Sequence, residues 1–149
     1  MIWLLPVTWD DSADLLRWRN DPTTRNNSRS NKVVSQEDHD AWMAACMSPA
    51  HPKGKVWVAD VDGTSVGVIR INLDLEVSIT VAPEHRGKGY AKEMLRQVCA
   101  KFQGNYYDTY CLDAEIKTTN VASQYVFEQC GFKMISCDGE YMQYRREPA

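Results

Sequence analysis

The chain has 149 residues, 44% apolar and 25% charged, with a formal net charge of −3 at pH 7. That length suits a single domain, residues 1–149, around one core. The acidic balance excludes a broad nucleic-acid-binding surface, so any basic patch is local. No apolar run approaches the roughly 18 residues of a membrane span. Met1 leads into Ile2-Trp3-Leu4-Leu5-Pro6 without a basic leader, and the expectation is a cytoplasmic protein. The five cysteines form no Cys-x-x-Cys pair and read as thiols, most of them buried, with no metal site.

In chain order, residues 3–8 read as a strand. Asp10 or Asp11 then caps a helix over 13–19 with Leu15, Leu16 and Trp18 on its apolar side. Asn20-Asp21-Pro22 stops that helix. Residues 23–32 lack apolar periodicity and read as a polar loop, either a solvated connection or the border of an acceptor site. Ser35 caps the next helix, with Glu37 and Asp38 at the positive end of its dipole. It runs through His39, Trp42, Met43 and Met47 to a break at 48–54.

A sheet section follows. Residues 55–61 and 64–71 are strands joined by Asp62-Gly63, a tight-hairpin signal, and a turn near 72–74 leads into a strand over 75–81. The three form an antiparallel meander. A helix reaching Phe102 ends at Gly104-Asn105, and residues 107–116 read as a strand. Because a helix separates it from the preceding strand, it runs parallel to its neighbour. A helix over 120–130, closed by Gly131, and a hairpin of 132–136 with 140–145 complete the chain.

The stretch Val81-Ala82-Pro83-Glu84-His85-Arg86-Gly87-Lys88-Gly89-Tyr90-Ala91 joins the strand over 75–81 to the following helix. Pro83 ends the strand, and the glycines let the backbone turn and approach a ligand closely. The free N–H groups at the helix start, with its dipole, make a seat for a phosphate, and Arg86 and Lys88 add charge there. Gly-Lys-Ser/Thr is absent, and Lys92 stands where a dinucleotide fingerprint needs its third glycine.

Arg86-Gly87-Lys88-Gly89-Tyr90-Ala91 resembles the acetyl-CoA pyrophosphate loop Arg/Gln-x-x-Gly-x-Gly/Ala of the GNAT N-acetyltransferase superfamily. Asn120, Ser123, Phe127, Gly131 and Phe132 match a second spacing common in that superfamily. The amino-terminal third, with Trp18-Arg19-Asn20-Asp21-Pro22 and 35–42, is similar to the branches of ribosomal-protein N-terminal acetyltransferases and nucleotide-linked amino-sugar acetyltransferases. The resemblance implies an α/β (α+β) GNAT fold. Its mixed, mostly antiparallel sheet has six to seven strands, splays after the strand ending near Val81, and carries about four helices.

It also implies direct acetyl transfer from acetyl-CoA to a primary amine, without an acyl-enzyme. Ile79 and Val81 would pair with the pantetheine arm, and Arg86, Gly87, Lys88, Gly89, Tyr90, Ala91, Ser123 and Phe127 would border the cofactor. Asn120 either caps its helix or holds that arm. Glu76 is the candidate base, against a solvent-facing role, and His39, read as a surface histidine, is its rival. Phe127 stands where many relatives carry an acid tyrosine, so Ser123 is the candidate for solvating the departing sulfur.

Arg19, Arg25, His39 and Trp42 are candidates for binding the acceptor, and Arg29 joins them if the acceptor carries a diphosphate. A nucleotide-linked amino sugar is favoured over a peptide amino terminus, which Glu37, Asp38 and Asp40 would suit. The partners expected are a small-molecule amine, no nucleic acid and no membrane, with a homodimer left open. A non-catalytic module that binds CoA or a partner protein is the reading from another class.

Overall fold

The computed structural model describes residues 1–102 and 110–148. Its first sheet holds β1 (Trp3–Pro6), β2 (Lys55–Val61), β3 (Thr64–Ile71) and β4 (Val77–Val81), in that spatial order and antiparallel throughout. The second holds β5 (Leu112–Lys117), β6 (Lys133–Cys137) and β7 (Tyr141–Arg146), with β7 in the middle. Among the described residues five α-helices flank them: α1 (Ser12–Asn20), α2 (Pro22–Asn26), α3 (Gln36–Cys46), α4 (Tyr90–Phe102) and α5 (Val121–Gln129). No helix among the described residues is long and apolar enough to cross a membrane.

Among the described residues, one backbone bridge links the two sheets. Glu76 bridges Asp113 in parallel, and the Asp113 N–H donates to the Leu75 carbonyl at 2.9 Å. Beyond that bridge no ladder joins β4 to β5 among the described residues, so the parallel pair is splayed towards its C-terminal ends. The strand expected over 75–81 is broken at its start, because Leu75 has a left-handed φ of 62°. Alternation marks residues that suit a strand, but not the turn that hands Leu75 O to the second sheet.

Two other local expectations are corrected. Residues 22–26 form a helix where a loop was read, since Pro22 sits in its first turn and the Asp21 side chain accepts from the Thr24 N–H. Asp11 stands at the N-cap position of α1 but makes no side-chain bond to it: its carboxylate accepts from the Thr8 N–H at 2.8 Å, around a 3-10 turn over Trp9–Asp11. The expected helix end at Gly104-Asn105 and the first residues of the expected strand 107–116 lie outside the described residues.

The core forms on both faces of the first sheet. Ile69, Ile71 and Val77 pack with Met94, Leu95 and Val98 of α4, and the same cluster takes in Leu112, Ala114, Ile116, Phe127, Phe132 and Tyr144. On the opposite face Val56 and Val58 pack with Leu15, Trp18 and Met43 from α1 and α3. Cys46 and Cys99 are buried in these clusters, and burial pushes the Cys99 thiol up to about 11.

The end of α5 shows how tightly a sequence signal fixes geometry. The Phe132 N–H donates to Phe127 O and the Gly131 N–H to Glu128 O, with Gly131 at a φ of 90°. This closure brings the Phe127 and Phe132 rings edge to face at 5.0 Å. Phe127→Ala is expected to cost about 3–5 kcal/mol, read by urea unfolding. A loss under about 1 kcal/mol would mean that the pair is not a core anchor.

Candidate active site

Since β4 and β5 run parallel, their C-terminal ends lie at the same end of the splay, and the chain leaves both of them for a helix. From β4 it passes through a 3-10 turn at Pro83–His85 and the glycine loop into α4. Gly87 and Gly89 have φ of 77° and 79°, and a Cβ built on either would meet nothing within 4 Å. Conformation, not crowding, therefore requires glycine there. The first α4 amide with a backbone partner is that of Glu93, which donates to Gly89 O at 3.3 Å. The preceding amides are thus free to bind an anion.

The cation of this loop is Lys88 rather than Arg86. The Arg86 guanidinium turns away to Asp21 Oδ2 at 2.7 Å and Thr24 Oγ1 at 3.2 Å, holding the Asp21 carboxyl below its ordinary range. Arg86 thereby ties the glycine loop to the start of α2, a role that needs the tertiary structure to be seen. Lys88 is exposed, with Nζ 3.5 Å from His85 Nδ1. Tyr90 and Ala91 open α4, and the His85 and Tyr90 rings lie 6.4 Å apart.

The register of the first sheet sorts β4 into two faces. Val77, Ile79 and Val81 pack with the cluster that contains α4. Ser78 and Thr80 face the other way and line a cavity of about 410 Å³. Arg70 stands opposite Ser78 and Val68 opposite Thr80, so the floor continues into β3, and Leu15, Trp18 and Arg19 of α1 with Asp38, His39 and Trp42 of α3 form walls. Glu76 lies one pleat beyond Ser78 on this face, exposed, at the joint between the sheets. Asn72 frames it: Asn72 Oδ1 accepts from the Glu76 N–H at 2.9 Å, and Asn72 Nδ2 reaches Glu76 Oε1 at 3.5 Å.

The acceptor-side candidates separate. Arg19, His39 and Trp42 all line the cavity. His39 is buried rather than at the surface, 4% exposed, with Nε2 2.9 Å from Ser12 O and its ring 6.1 Å from that of Trp42. Nε2 also lies 3.0 Å from Ser12 Oγ, so the imidazole is anchored to both oxygens of Ser12. Arg25 donates to the backbone oxygens of Asn20 and Asn31 and holds its own loop. Arg29 crosses to the second sheet, pairing with Glu115 and lying 4.2 Å over the Tyr141 ring. Neither Arg25 nor Arg29 is among the cavity-lining residues.

On α5, Asn120 is the cap: Oδ1 accepts from the Ser123 N–H at 3.2 Å and Nδ2 donates to Ser123 Oγ at 3.0 Å. The amide serves as acceptor and donor to one residue, and the Ser123 hydroxyl keeps its own proton to donate. Phe127 is buried against Phe132 and contributes packing. Asn72, Arg70, Ser78 and Thr80 carry no signal in the sequence that marks them for the site. Strand alternation gives the face of Ser78 and Thr80, but Asn72 and Arg70 require the cross-strand register.

The family model described as acetyltransferase (GNAT) domain matches residues 2–133. The chain belongs to the GNAT acetyltransferases. A domain from Methanocaldococcus jannaschii is 20% identical, with 97% of both chains covered and a TM-score of 0.82. RimL, a ribosomal alpha-N-protein acetyltransferase in complex with coenzyme A, is 13% identical, with 98% of this chain and 93% of that one covered and a TM-score of 0.79. The aminoglycoside acetyltransferase AAC(6')-Ib in complex with paromomycin and acetyl-CoA is 14% identical, with 99% and 93% covered and a TM-score of 0.80. At these identities the likeness shows the fold. No curated protein matches the sequence. As a GNAT acetyltransferase the protein is an acyltransferase with acetyl-CoA as co-substrate, and the open glycine cradle with its free amides and Lys88 fits a pyrophosphate.

Proposed function

We propose that residues 1–149 act as one domain that moves the acetyl group of acetyl-CoA directly to the primary amine of a small molecule, such as a nucleotide-linked amino sugar. The observation that carries this reading is the cavity of about 410 Å³ on the Ser78 and Thr80 face of β4, beside the unpaired edge that fronts the splay. A walled cavity of that size suits a compact acceptor held by a few polar groups. The edge at Ile79 and Val81 offers backbone groups to the pantetheine amides as an added strand would. The loop of Arg86, Gly87, Lys88, Gly89, Tyr90 and Ala91 takes the pyrophosphate, with Lys88 as its charge.

The acceptor nitrogen attacks the thioester carbon, the carbon–sulfur bond breaks, and CoA leaves as a thiolate. Glu76, braced by Asn72, takes the proton lost by the amine, directly or through one water. The Ser123 hydroxyl, held by Asn120, donates to the departing sulfur. A thiolate is a fair leaving group, so the tyrosine absent at Phe127 is not required. Arg19, His39 and Trp42 border the acceptor.

Thiol release from acetyl-CoA, measured against UDP- and dTDP-linked amino sugars, polyamines and peptides with free amino termini, tests the reading. Acceptor-dependent release with an amino sugar supports it, and release with a peptide alone moves the acceptor to the protein class. Thermal stabilisation by acetyl-CoA with no release from any amine would favour a module that binds CoA without catalysis.

A further inference from the structure

Among the described residues, two buried side-chain nitrogens have no hydrogen-bond partner: Trp18 Nε1 and Arg19 Nη1. Both residues line the cavity against β3 and β4. Trp18 is 1% exposed, so its indole N–H is removed from bulk water. The arginines at 17, 29, 86, 96 and 145 each sit against a carboxylate. Arg19 has none, and its partner is the Ser30 carbonyl, reached by Nη2 at 3.3 Å.

The charged groups around Arg19 leave its charge uncompensated. Arg25 adds a like charge, and burial pushes the Arg19 guanidinium below its ordinary value. Arg70 approaches the cavity from β3, its Nε donating to Lys53 O at 2.8 Å. Asp38, the acid lining the same cavity, makes no ion pair with Arg19. An unpaired buried donor and an unpaired cation are both costly. They are tolerable where an incoming group completes them.

We infer that Trp18 Nε1 and Arg19 Nη1 form an anion-recognition point in the acceptor cavity, which takes a carboxylate or phosphate group carried by the amine substrate. The inference rests on the reading of this cavity as the acceptor site. Two N–H donors and a positive charge meet the several lone pairs of an oxyanion, while a neutral amine leaves them unpaired. The penalty falls on every substrate that lacks the anion, which makes the pair a device for specificity as well as affinity.

The test compares amines that differ in the acid group alone. One arm sets an amino acid against its amide. The other sets an amino-sugar phosphate and a UDP-linked amino sugar against the neutral amino sugar, so the arms tell carboxylate from phosphate. In at least one arm the acidic member is expected to have a KM about tenfold or more lower. Arg19→Gln should raise that KM roughly 30-fold, about tenfold more than it raises the KM of the neutral member. Arg19→Lys should recover part of the loss, and Trp18→Phe, which keeps the ring and removes the N–H, should lose several-fold in the same direction.

A KM that rises equally for both members in Arg19→Gln would overturn the inference and leave the transferase reading standing. Binding of inorganic phosphate and acetate to the CoA-saturated protein, followed by calorimetry, gives a readout independent of turnover. Anion binding that disappears in Arg19→Gln while no amine turns over would keep the anion-binding pair and overturn its assignment to an amine substrate. Anion binding unchanged by Arg19→Gln overturns the inference whatever the turnover.

Discussion

Gly89→Asp should abolish acetyl-CoA binding while leaving a folded protein. The position has a φ of 79° and open space where a Cβ would stand, so nothing collides when a side chain is added. The left-handed backbone costs a non-glycine residue roughly 1–2 kcal/mol, an effect on stability present with or without ligand. The carboxylate acts on binding, because it places a negative charge where the free amides at the start of α4 would seat a pyrophosphate. Repulsion of a few kcal/mol at close range in a partly screened site corresponds to about a hundredfold or more in Kd. Gly89→Ala separates the two effects: it should lower the melting temperature comparably, yet change the Kd for CoA by less than about fivefold. Calorimetric titration with CoA checks both. Wild-type affinity in Gly89→Asp would remove the glycine loop from the binding site.

Glu76→Gln should lower kcat by about 10²–10⁴-fold with little change in acetyl-CoA affinity. Glutamine keeps the length of the side chain and its acceptor oxygen towards Asn72, so the frame around the residue survives. What it loses is the ability to take a proton. Asn72→Ala tests the frame itself, and a loss of about tenfold in kcat with the acid still present is expected, because the carboxylate is then free to rotate out of reach. Steady-state kinetics with acetyl-CoA varied against a saturating acceptor read both variants. If Glu76→Gln raised the Kd of acetyl-CoA and left turnover intact, the residue would belong to the cofactor site and the proton would need another destination. His39, anchored to Ser12 on the cavity wall, is the rival destination.

The Glu84 carboxylate, held by Arg17, lies on the surface, and its contribution follows acidity. Arg17 holds Glu84, at the entry to the glycine loop, down to about 2. A depressed folded-state value means that this contribution is present above the ordinary glutamate range and is lost as pH falls towards 2. Glu84 is exposed, so the effect is small and screened by salt.

The sequence by itself determined the local elements whose information is local. Alternation placed β2 and β3, Ser35 and Asn120 marked the starts of α3 and α5, and Gly131 marked the end of α5, because hydrogen-bond partners three to five residues apart are written in the chain. The glycine loop was legible for the same reason, since two left-handed positions before a helix need glycine and little else. Helix α2 was missed because polar residues carry no periodicity, although Asp21-Pro22 held its signal.

Only the tertiary structure decided which of the chemically suitable side chains face one another. Arg19, Arg25, Arg29 and Arg86 are equally cationic in sequence. Folding leaves Arg19 at the cavity, spends Arg25 on backbone carbonyls, and pairs Arg29 with Glu115 and Arg86 with Asp21. Those partners lie 65 residues away for Arg86 and 86 for Arg29, beyond any local pattern. The left-handed turn at Leu75, the bridge from Glu76 to Asp113, and thus the splay are likewise set by how two sheets pack, which is a property of the assembled core rather than of any segment within it.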